Sequence, residues 1–328
     1  MKAIVNTEYG SPDVLKLKEV ARPVPKDNEV LIKVHAASVN AADLHCLRAD
    51  PFLVRLGLGL FKPKSTILGA DVAGRIEAMG RAVTQFKLGD EVFGDLAACG
   101  FGAFAEYVCA CEDALVLKPA NLTFEQAAAV PMAAVTALQG LRDKGHIQAG
   151  QKVLILGASG GVGMFAVQIS KALGAEVTGV CSTKKVAMVR AIGADHVIDY
   201  SQVDVTQSGQ RYDLIFDAAA YRSFLDYRPV LSPTGTYVLI GGSMSSLLQV
   251  AVQGAWHSKK QGQTFTNLMA HPNTKDLAFV TGLLEAGTVK PVIDRCYPLS
   301  EVPEAIRHVE ARRVQGKVVI AVAQDKKG

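Results

Sequence analysis

The spacing of hydrophobic and polar residues changes near residue 118, and this change separates two kinds of predicted structure. Residues 29–36 (EVLIKVHA) alternate between apolar and polar side chains, which is typical of a strand with one buried face. Residues 73–78, 90–93 and 106–110 are further short strand candidates, and turn signals separate them. The first third of the chain is therefore predicted to form a small barrel-like β unit.

The middle of the chain alternates between strand and helix patterns. Residues 123–141 are rich in alanine; Thr123 and Gln126 form a predicted capping box, and Pro131 predicts a break into two helices. From residue 152 onward, apolar runs such as KVLILG are typical of strands buried on both faces, and helical segments lie between them. This alternation predicts a doubly wound sheet of parallel strands within an α/β fold.

Composition and charge narrow the class of protein. Hydrophobic residues make up 49% of the chain and charged residues 20%, which is typical of a globular protein. The net charge of +4 comes from scattered lysines and arginines, so no nucleic-acid partner is expected. Six cysteines form no CxxC pair, and the first residues lack the apolar segment of a signal peptide. These features favour a reducing compartment, most simply the cytoplasm.

The sequence ILGASGGVG follows the first buried strand of the alternating region and opens a helix. Glycines in such a turn let the backbone approach a pyrophosphate, and the N–H groups at the helix N-terminus hold its charge. The turn predicts a dinucleotide site, with a glycine turn that binds nothing as the alternative. The predicted contacts are Ala158, Ser159, Gly160, Gly161, Val162 and Gly163.

The next strand, residues 176–181, predicts which dinucleotide is bound. An NAD site would place a carboxylate near the end of this strand, whereas here the chain continues as Ser182-Thr183-Lys184-Lys185. Hydroxyls and cations suit a 2′-phosphate, so the predicted cofactor is NADPH. The alternative is that the lysines lie on a solvated helix start, although cations there are unfavourable unless an anion compensates them.

Several blocks of the sequence, in order, resemble the medium-chain dehydrogenase/reductase superfamily, specifically its zinc-free quinone oxidoreductase (zeta-crystallin-like) branch. They include PVPKDNEVLIKVHAASVNAAD, LGADVAGRIEAMG, AAAVPMAAVTALQGL, ILGASGGVG and IGADHVIDY, and the resemblance covers nearly the whole chain. It implies a GroES-like β domain formed by residues 1–120 and 265–328, and a Rossmann domain with a doubly wound parallel sheet formed by residues 121–264.

The resemblance also implies further cofactor contacts. Three positions match residues that contact the 2′-phosphate in NADPH-using relatives: Ser182, Lys185 and Tyr200. Three others match residues that line or border the nicotinamide: Thr136, Ile240 and Gly241.

The stretch SVNAADLHCLRAD, residues 38–50, contains Asp43, His45 and Cys46, whose side chains can bind transition metals. Adjacent positions usually point apart, so one ion cannot readily use all three, and Cys46 is expected to be a packing residue. In zinc-containing members of the superfamily a cysteine stands at the position of Asn40 and a histidine at that of Ala70. Both ligands are missing here, and no metal is predicted.

The resemblance therefore implies a metal-independent NADPH-dependent reductase of quinones or α,β-unsaturated carbonyls such as enones and 2-alkenals. Conjugation in such small hydrophobic substrates spreads the developing negative charge without a Lewis acid. Asn40 is the candidate donor to the developing oxyanion, and His45 is either a donor, a pocket residue or a structural histidine. The alternatives are an enoyl-thioester reductase and a non-catalytic NADPH- or RNA-binding protein.

Two apolar stretches suggest interaction surfaces. Residues 51–64 (PFLVRLGLGLFKPK) fit a lid over a hydrophobic substrate, a partner surface, a weak peripheral contact with a membrane, or a buried excursion of the core. Of these, a membrane contact is not the favoured interpretation. Residues 247–255 would suit a dimer interface, and a homodimer is expected.

Overall fold

The structure is a computed structural model that describes residues 1–50, 55–254 and 262–322. These form two compact units. Unit 1 comprises Met1–Met132, Pro272–Thr281 and the chain from Pro291 onward, and unit 2 comprises Ala133–His271 and Gly282–Lys290.

The strands, in chain order, are β1 (Lys2–Val5), β2 (Lys16–Glu19), β3 (Glu29–Val39), β4 (Asp71–Met79), β5 (Glu91–Asp95), β6 (Tyr107–Cys111), β7 (Leu115–Leu117), β8 (Lys152–Leu156), β9 (Glu176–Cys181), β10 (His196–Asp199), β11 (Tyr212–Asp217), β12 (Leu231–Ile240), β13 (Thr264–Leu268), β14 (Ile293–Pro298) and β15 (Lys317–Ala321). The α-helices are α1 (Ala41–Arg48), α2 (Arg55–Leu58), α3 (Phe124–Ala128), α4 (Pro131–Gln139), α5 (Gly161–Ala172), α6 (Val186–Ala191), α7 (Met244–Gln249), α8 (Thr274–Glu285) and α9 (Val302–Glu310).

Unit 1 is built mainly on antiparallel strands. Its seven-stranded sheet runs β14-β15-β3-β4-β5-β7, β6 also pairs with β3, and β1 and β2 form a separate pair. The centre of the sheet is β3, where Glu29 and Lys33 are the residues that are not buried. The strand predicted at residues 29–36 therefore extends through Val39, but its burial does not alternate as predicted, because its second half is covered on both faces.

Unit 2 contains one six-stranded sheet in the order β10-β9-β8-β11-β12-β13, and all of its strands run parallel. Strands β9 and β10 lie on one side of β8, and β11, β12 and β13 lie on the other. This change of side creates a crevice at the carboxyl ends of β8 and β11, where such sheets bind ligands. The predicted α/β fold, with a GroES-like β domain and a doubly wound parallel sheet, is confirmed.

Residues 153–170 contain no charged side chain. They form a strand, a turn and a helix, which are β8, the glycine turn and α5. No helix in the three described ranges is both long enough and apolar enough to cross a membrane.

The helical region after residue 123 has the predicted local structure. The Thr123 hydroxyl accepts a bond from the N–H of Gln126, and the Gln126 side chain accepts one from the N–H of Thr123, at 3.2 and 3.0 Å. Helix α3 then ends before Pro131, which begins α4. This region belongs to unit 1 up to Met132, beyond the predicted boundary at residue 120, because α3 packs on the sheet and the Phe124 ring stacks on His35 at 4.1 Å.

Candidate active site

The glycine-rich turn joins β8 to α5 at the point where the strand order reverses. Gly157 has a φ of +77°, and a Cβ atom on Gly163 would lie 2.1 Å from the Gly157 carbonyl oxygen. The helix therefore packs on the turn too closely for any side chain at position 163. The first N–H groups of α5 have no partner within the helix, and its first turn carries no acidic residue. This helix end suits a phosphate.

Hydrogen bonds fix the conformation of the turn. The Ala158 N–H donates to the Val180 carbonyl of β9 at 3.1 Å, and the Gly160 N–H donates to the Gly157 carbonyl at 3.0 Å. Ala158 and Ser159 are buried. The six contacts predicted in this turn thus lie together in a rigid strand–turn–helix unit whose shape fits a dinucleotide pyrophosphate.

The residues predicted to bind the 2′-phosphate meet at the neighbouring strand ends. Ser182 follows β9 and begins a helical turn in which the Lys185 N–H donates to the Ser182 carbonyl at 2.9 Å. Tyr200 follows β10 and is held beside them, because its N–H donates to the Cys181 carbonyl at 3.1 Å. Its side chain is 57% exposed. The structure therefore brings Ser182, Lys185 and Tyr200 to one edge of the sheet.

Asp199 is a residue at this edge that the sequence analysis missed. Its carboxylate accepts bonds from the N–H and the hydroxyl of Ser201 at 3.0 and 2.7 Å. Bonds from the hydroxyls of Thr183 and Ser201 lower the pKa of Asp199 below its ordinary value. The edge thus combines hydroxyls and lysines with one carboxylate that is already engaged by those hydroxyls.

Thr136 lies on helix α4, and Gly140 follows that helix directly. At Gly140 a Cβ atom would lie 2.5 Å from Phe216 and 2.8 Å from Ile240. Thr136 is half-buried in a run of buried residues. At Gly241 the φ is +74°, and a Cβ atom would meet no described atom within 4 Å. The structure therefore places Gly140 against Ile240, and Thr136 four residues before that contact.

A buried aspartate fixes the turn that follows β11. Asp217 accepts bonds from the N–H groups of Ala219 and Ala220 at 2.9 and 2.8 Å, and from the Tyr237 hydroxyl at 2.6 Å. Burial raises the pKa of Asp217, and the Tyr237 hydroxyl opposes that rise. A Cβ atom on Gly157 would lie 3.3 Å from the Ala219 side chain, so this alanine turn borders the glycine turn.

Asn40 lies in unit 1, between β3 and α1, inside a buried polar cluster. Its side-chain N–H donates to the Asp71 carboxylate at 2.9 Å and to the Ser38 carbonyl at 3.4 Å. Its side-chain oxygen accepts a bond from the Lys317 ammonium at 2.5 Å. Ser38 also donates to Asp71 at 2.8 Å. The predicted donor is therefore part of a network, and its hydrogen toward Ser38 is the more weakly held.

Sheet register explains why these distant residues meet. Val39 pairs with Val318 in the antiparallel β3–β15 ladder, so the next pair is Asn40 and Lys317. Ser38 pairs with Asp71 across β3 and β4, and Asp71 pairs with Asp95 across β4 and β5. The sequence analysis missed Lys317; its one signal is a lysine directly before the apolar run of the final strand.

Two further aspartates of the cluster are buried. Asp43 accepts bonds from the N–H groups of Asn40 and Gly69 at 2.8 and 3.0 Å, so it supports the backbone. Burial raises the pKa of Asp43 to about 7, against those two bonds, and the charge of Asp71 adds to the rise. Burial likewise raises the pKa of Asp95 to about 7, again with repulsion from Asp71. Both carboxyls therefore change protonation near neutral pH.

His45 lies on the opposite, exposed side of α1 from Asp43 and is not part of this cluster. Its Nδ1 atom is 2.9 Å from the Asp50 carbonyl oxygen. Because a carbonyl oxygen can only accept, Nδ1 carries the hydrogen, and in the neutral ring Nε2 is an acceptor. His45 can therefore donate from Nε2 only as the imidazolium. Cys46 packs against the core of unit 1, as predicted.

The residues at the zinc position of the superfamily do not fit zinc. The Asn40 oxygen faces an ammonium, and both Asp71 oxygens accept bonds from the protein, including one from the Met132 N–H at 2.9 Å. A dication here would meet the Lys317 charge rather than open lone pairs. Within the described ranges no group of three or more His, Cys, Asp or Glu residues is arranged to hold a metal ion.

The apolar segment at residues 51–64 is described only from residue 55. Its side chains Leu56 and Phe61 are 71% and 89% exposed, so this described part is not a buried excursion of the core. The Tyr9 ring anchors the segment: it lies 4.8 Å from the Arg55 guanidinium, and its hydroxyl donates to the Gly59 carbonyl at 2.7 Å. Residue 255, the end of the second predicted surface, lies outside the described ranges.

Comparison with known proteins agrees with these observations. A family model described as "Alcohol dehydrogenase GroES-like domain" matches residues 26–120, and one described as "Zinc-binding dehydrogenase" matches residues 192–320. The zinc in the second description does not extend to this chain's residues, for the reasons given above.

Individual relatives align along nearly the full chain. A chloroplastic quinone-oxidoreductase homolog of Spinacia oleracea is 33% identical over 335 residues, which cover 98% of each protein. The 2-methylene-furan-3-one reductase of Solanum lycopersicum is 35% identical over 98% of this chain and 79% of that protein. The quinone oxidoreductase structure from Coxiella burnetii superposes with a TM-score of 0.88 and 31% identity, covering 98% and 99% of the two chains. This chain belongs to the medium-chain dehydrogenase/reductase superfamily, in its quinone oxidoreductase branch, and is an NAD(P)-binding oxidoreductase.

Proposed function

We propose that the protein is an NADPH-dependent reductase of conjugated carbonyl compounds, namely quinones, enones and 2-alkenals. The observation that carries the cofactor assignment is the meeting of Ser182, Lys185 and Tyr200 at the strand ends next to the glycine turn. The substrate class is supported by the names of two relatives, a quinone-oxidoreductase homolog and a 2-methylene-furan-3-one reductase.

Each part of the strand edge in unit 2 has a role in this proposal. When bound, NADPH supplies the hydride. The N–H groups at the start of α5 hold its pyrophosphate, and Gly163 keeps that helix close to the turn. Lys185, with the hydroxyls of Ser182 and Tyr200, binds the 2′-phosphate. Asp199 lies at the same edge, and its carboxylate accepts bonds from the N–H and the hydroxyl of Ser201.

Asn40 is proposed to stabilise the negative charge that develops on the substrate oxygen. Of its two amide hydrogens, one is held by the Asp71 carboxylate at 2.9 Å, and the other reaches the Ser38 carbonyl at 3.4 Å. The second bond is long, so exchanging it for a hydrogen bond to a substrate oxygen costs less free energy. His45, as the imidazolium, is the proposed proton donor.

A cytosolic homodimer is also proposed. All six cysteines are free thiols, which suits a reducing compartment. Strand β13 ends the sheet of unit 2, so its outer edge can pair with a second copy. Sedimentation velocity should give twice the chain mass of 34.8 kDa, and a species of one chain mass at micromolar concentration contradicts the dimer.

An acceptor screen tests the proposed function. The purified protein is mixed with NADPH or NADH and with a benzoquinone, a cyclic enone, a 2-alkenal or crotonyl-CoA, and cofactor oxidation is followed at each pairing. We expect oxidation of NADPH, faster than that of NADH, with at least one of the first three. Activity with crotonyl-CoA alone would identify an enoyl-thioester reductase. Cofactor binding without oxidation, or tight salt-dependent binding of RNA, would point to the non-catalytic alternative.

A further inference from the structure

The Lys317 ammonium is buried, and the proposed reaction assigns it no role. Its side chain is 4% exposed, and that of Asp71 is not exposed at all. Nζ lies 2.5 Å from the Asn40 oxygen and 3.5 Å from an Asp71 oxygen. A lysine is rarely buried this deeply unless an opposite charge and hydrogen-bond acceptors surround it, and here Asp71 and Asn40 supply them.

The ammonium decides which way the Asn40 amide faces. An ammonium has three donors and no acceptor, and a carboxylate accepts only. The amide oxygen must therefore face Lys317, and the amide nitrogen must face Asp71. In the flipped orientation, the N–H groups would face the ammonium and the oxygen would face the carboxylate, giving two repulsive contacts. The amide thus bridges an ion pair with one permitted orientation.

The same charge balances the acids around it. The carboxylates that face this cluster are Asp43 from α1, Asp71 from β4 and Asp95 from the end of β5. Lys317 offsets the negative charge of both Asp43 and Asp95. Without Lys317, three carboxyl groups would share a buried space with no cation among the cluster residues named here. The Asn40 amide oxygen would also lose the cation that it faces.

We propose that Lys317 is a positioning residue for the reduction: its ammonium fixes the orientation of the Asn40 amide, so that the amide presents N–H rather than oxygen. The inference rests on the proposed role of Asn40. It deepens that role, because an amide polarised at its oxygen by a cation is a stronger donor at its nitrogen. The residue acts through Asn40.

The test compares Lys317→Met, which removes the charge, with Lys317→Arg, which keeps it. Lys33→Met is the matched control, since Lys33 is an exposed lysine of β3 in the same sheet. We measure kcat and KM for NADPH with the best acceptor, and the side-chain amide signals of Asn40 by proton–nitrogen NMR, assigned with Asn40→Asp.

Lys317→Met should lower kcat roughly 10- to 100-fold, as expected for a weakened oxyanion donor, while KM for NADPH stays within about threefold. Its Asn40 amide signals should shift, because the amide oxygen loses the cation that it faces. Lys317→Arg should recover most of kcat, and Lys33→Met should match the wild type. If Lys317→Met does not fold, Lys317→Met/Asp71→Asn, which leaves neither member of the ion pair behind, replaces it and should still show the low kcat.

Three results would overturn the inference. They are a wild-type kcat in the charge-removing variant, Asn40 amide signals that are the same with and without Lys317, and a loss of kcat that Lys317→Arg does not recover. If the wild type reduces none of the acceptors, the proposed function fails. The Asn40 amide signals then still decide whether Lys317 fixes the orientation of the amide.

Discussion

Lys317 and Asn40 stand 277 positions apart in the chain, yet the ammonium of one lies 2.5 Å from the amide oxygen of the other. The register of β15 against β3 creates this contact, and the Asp71 carboxylate holds the other end of the same amide. The Lys317 ammonium therefore lies in the part of the fold where zinc-containing relatives are expected to bind their metal.

Replacing Lys185 with alanine should weaken NADPH binding roughly 10- to 100-fold, because a charge-assisted bond to a phosphate is lost. NADH has no 2′-phosphate, so its dissociation constant should stay within about threefold. Titration of cofactor fluorescence measures both constants. Lys184→Ala is the matched control, since this neighbouring lysine is exposed. Equal weakening of both cofactors by Lys185→Ala would contradict the phosphate assignment.

Gly163→Ala should destabilise the protein by about 1–3 kcal/mol, because the new methyl group would overlap the Gly157 carbonyl. Cofactor affinity should fall as well, since α5 can no longer approach the turn. The matched substitution is Gly282→Ala in α8, where a Cβ atom would meet no described atom within 4 Å. That change should stabilise the protein by about 0.5–1 kcal/mol. Urea denaturation gives both free energies, and similar values for the two variants would argue against the close approach.

His45→Gln should lower kcat roughly 100-fold or more if His45 supplies the proton to the substrate. Nδ1 already donates to the Asp50 carbonyl, so only the doubly protonated ring can donate from Nε2. Steady-state rates with NADPH and the best acceptor measure kcat for the wild type and the variant. A variant with the wild-type kcat would reduce His45 to a structural or pocket residue.

Asp95→Asn should flatten the pH dependence of stability. Burial raises the pKa of Asp95 from 3.8 to about 7 in the folded protein, so between these values the folded state binds more protons than the unfolded state. The free energy of unfolding therefore decreases as the pH rises from about 4 to 7, by at most about 1.4 kcal/mol per pH unit for one such group.

The Asp95→Asn variant should lose that contribution, while Asp43, whose pKa is also about 7, should preserve part of the slope. Urea denaturation at pH 5, 6, 7 and 8 measures how the free energy of unfolding depends on pH. Asp27→Asn, with a side chain 69% exposed, is the control and should leave the slope close to that of the wild type. An unchanged slope in Asp95→Asn would mean that this carboxyl is already ionised at pH 5.

Local patterns were sufficient for the parallel sheet and for the cofactor turn. Glycines at fixed spacing between an apolar strand and a helix predicted the β8–α5 turn, because steric demands there are set by neighbours in the chain. The Thr123–Gln126 capping box and the break at Pro131 were predicted for the same reason. Strands β1, β2, β7, β13 and β14 were not predicted, because several are short or largely polar and gain their structure from pairing with distant strands.

The sequence by itself determined the family, the α/β fold and the residues of the glycine turn, since these depend on local spacing and on ordered blocks of similarity. Only the tertiary structure decided the surroundings of Asn40. Sheet register, which joins the ends of the chain, brought Lys317 and Asp71 to its amide, and burial then made their charges interdependent. It also placed Asp199 beside the predicted phosphate contacts and left His45 outside the buried cluster. Residue types predict which groups are able to act, but burial and register determine which of them meet and in which protonation state.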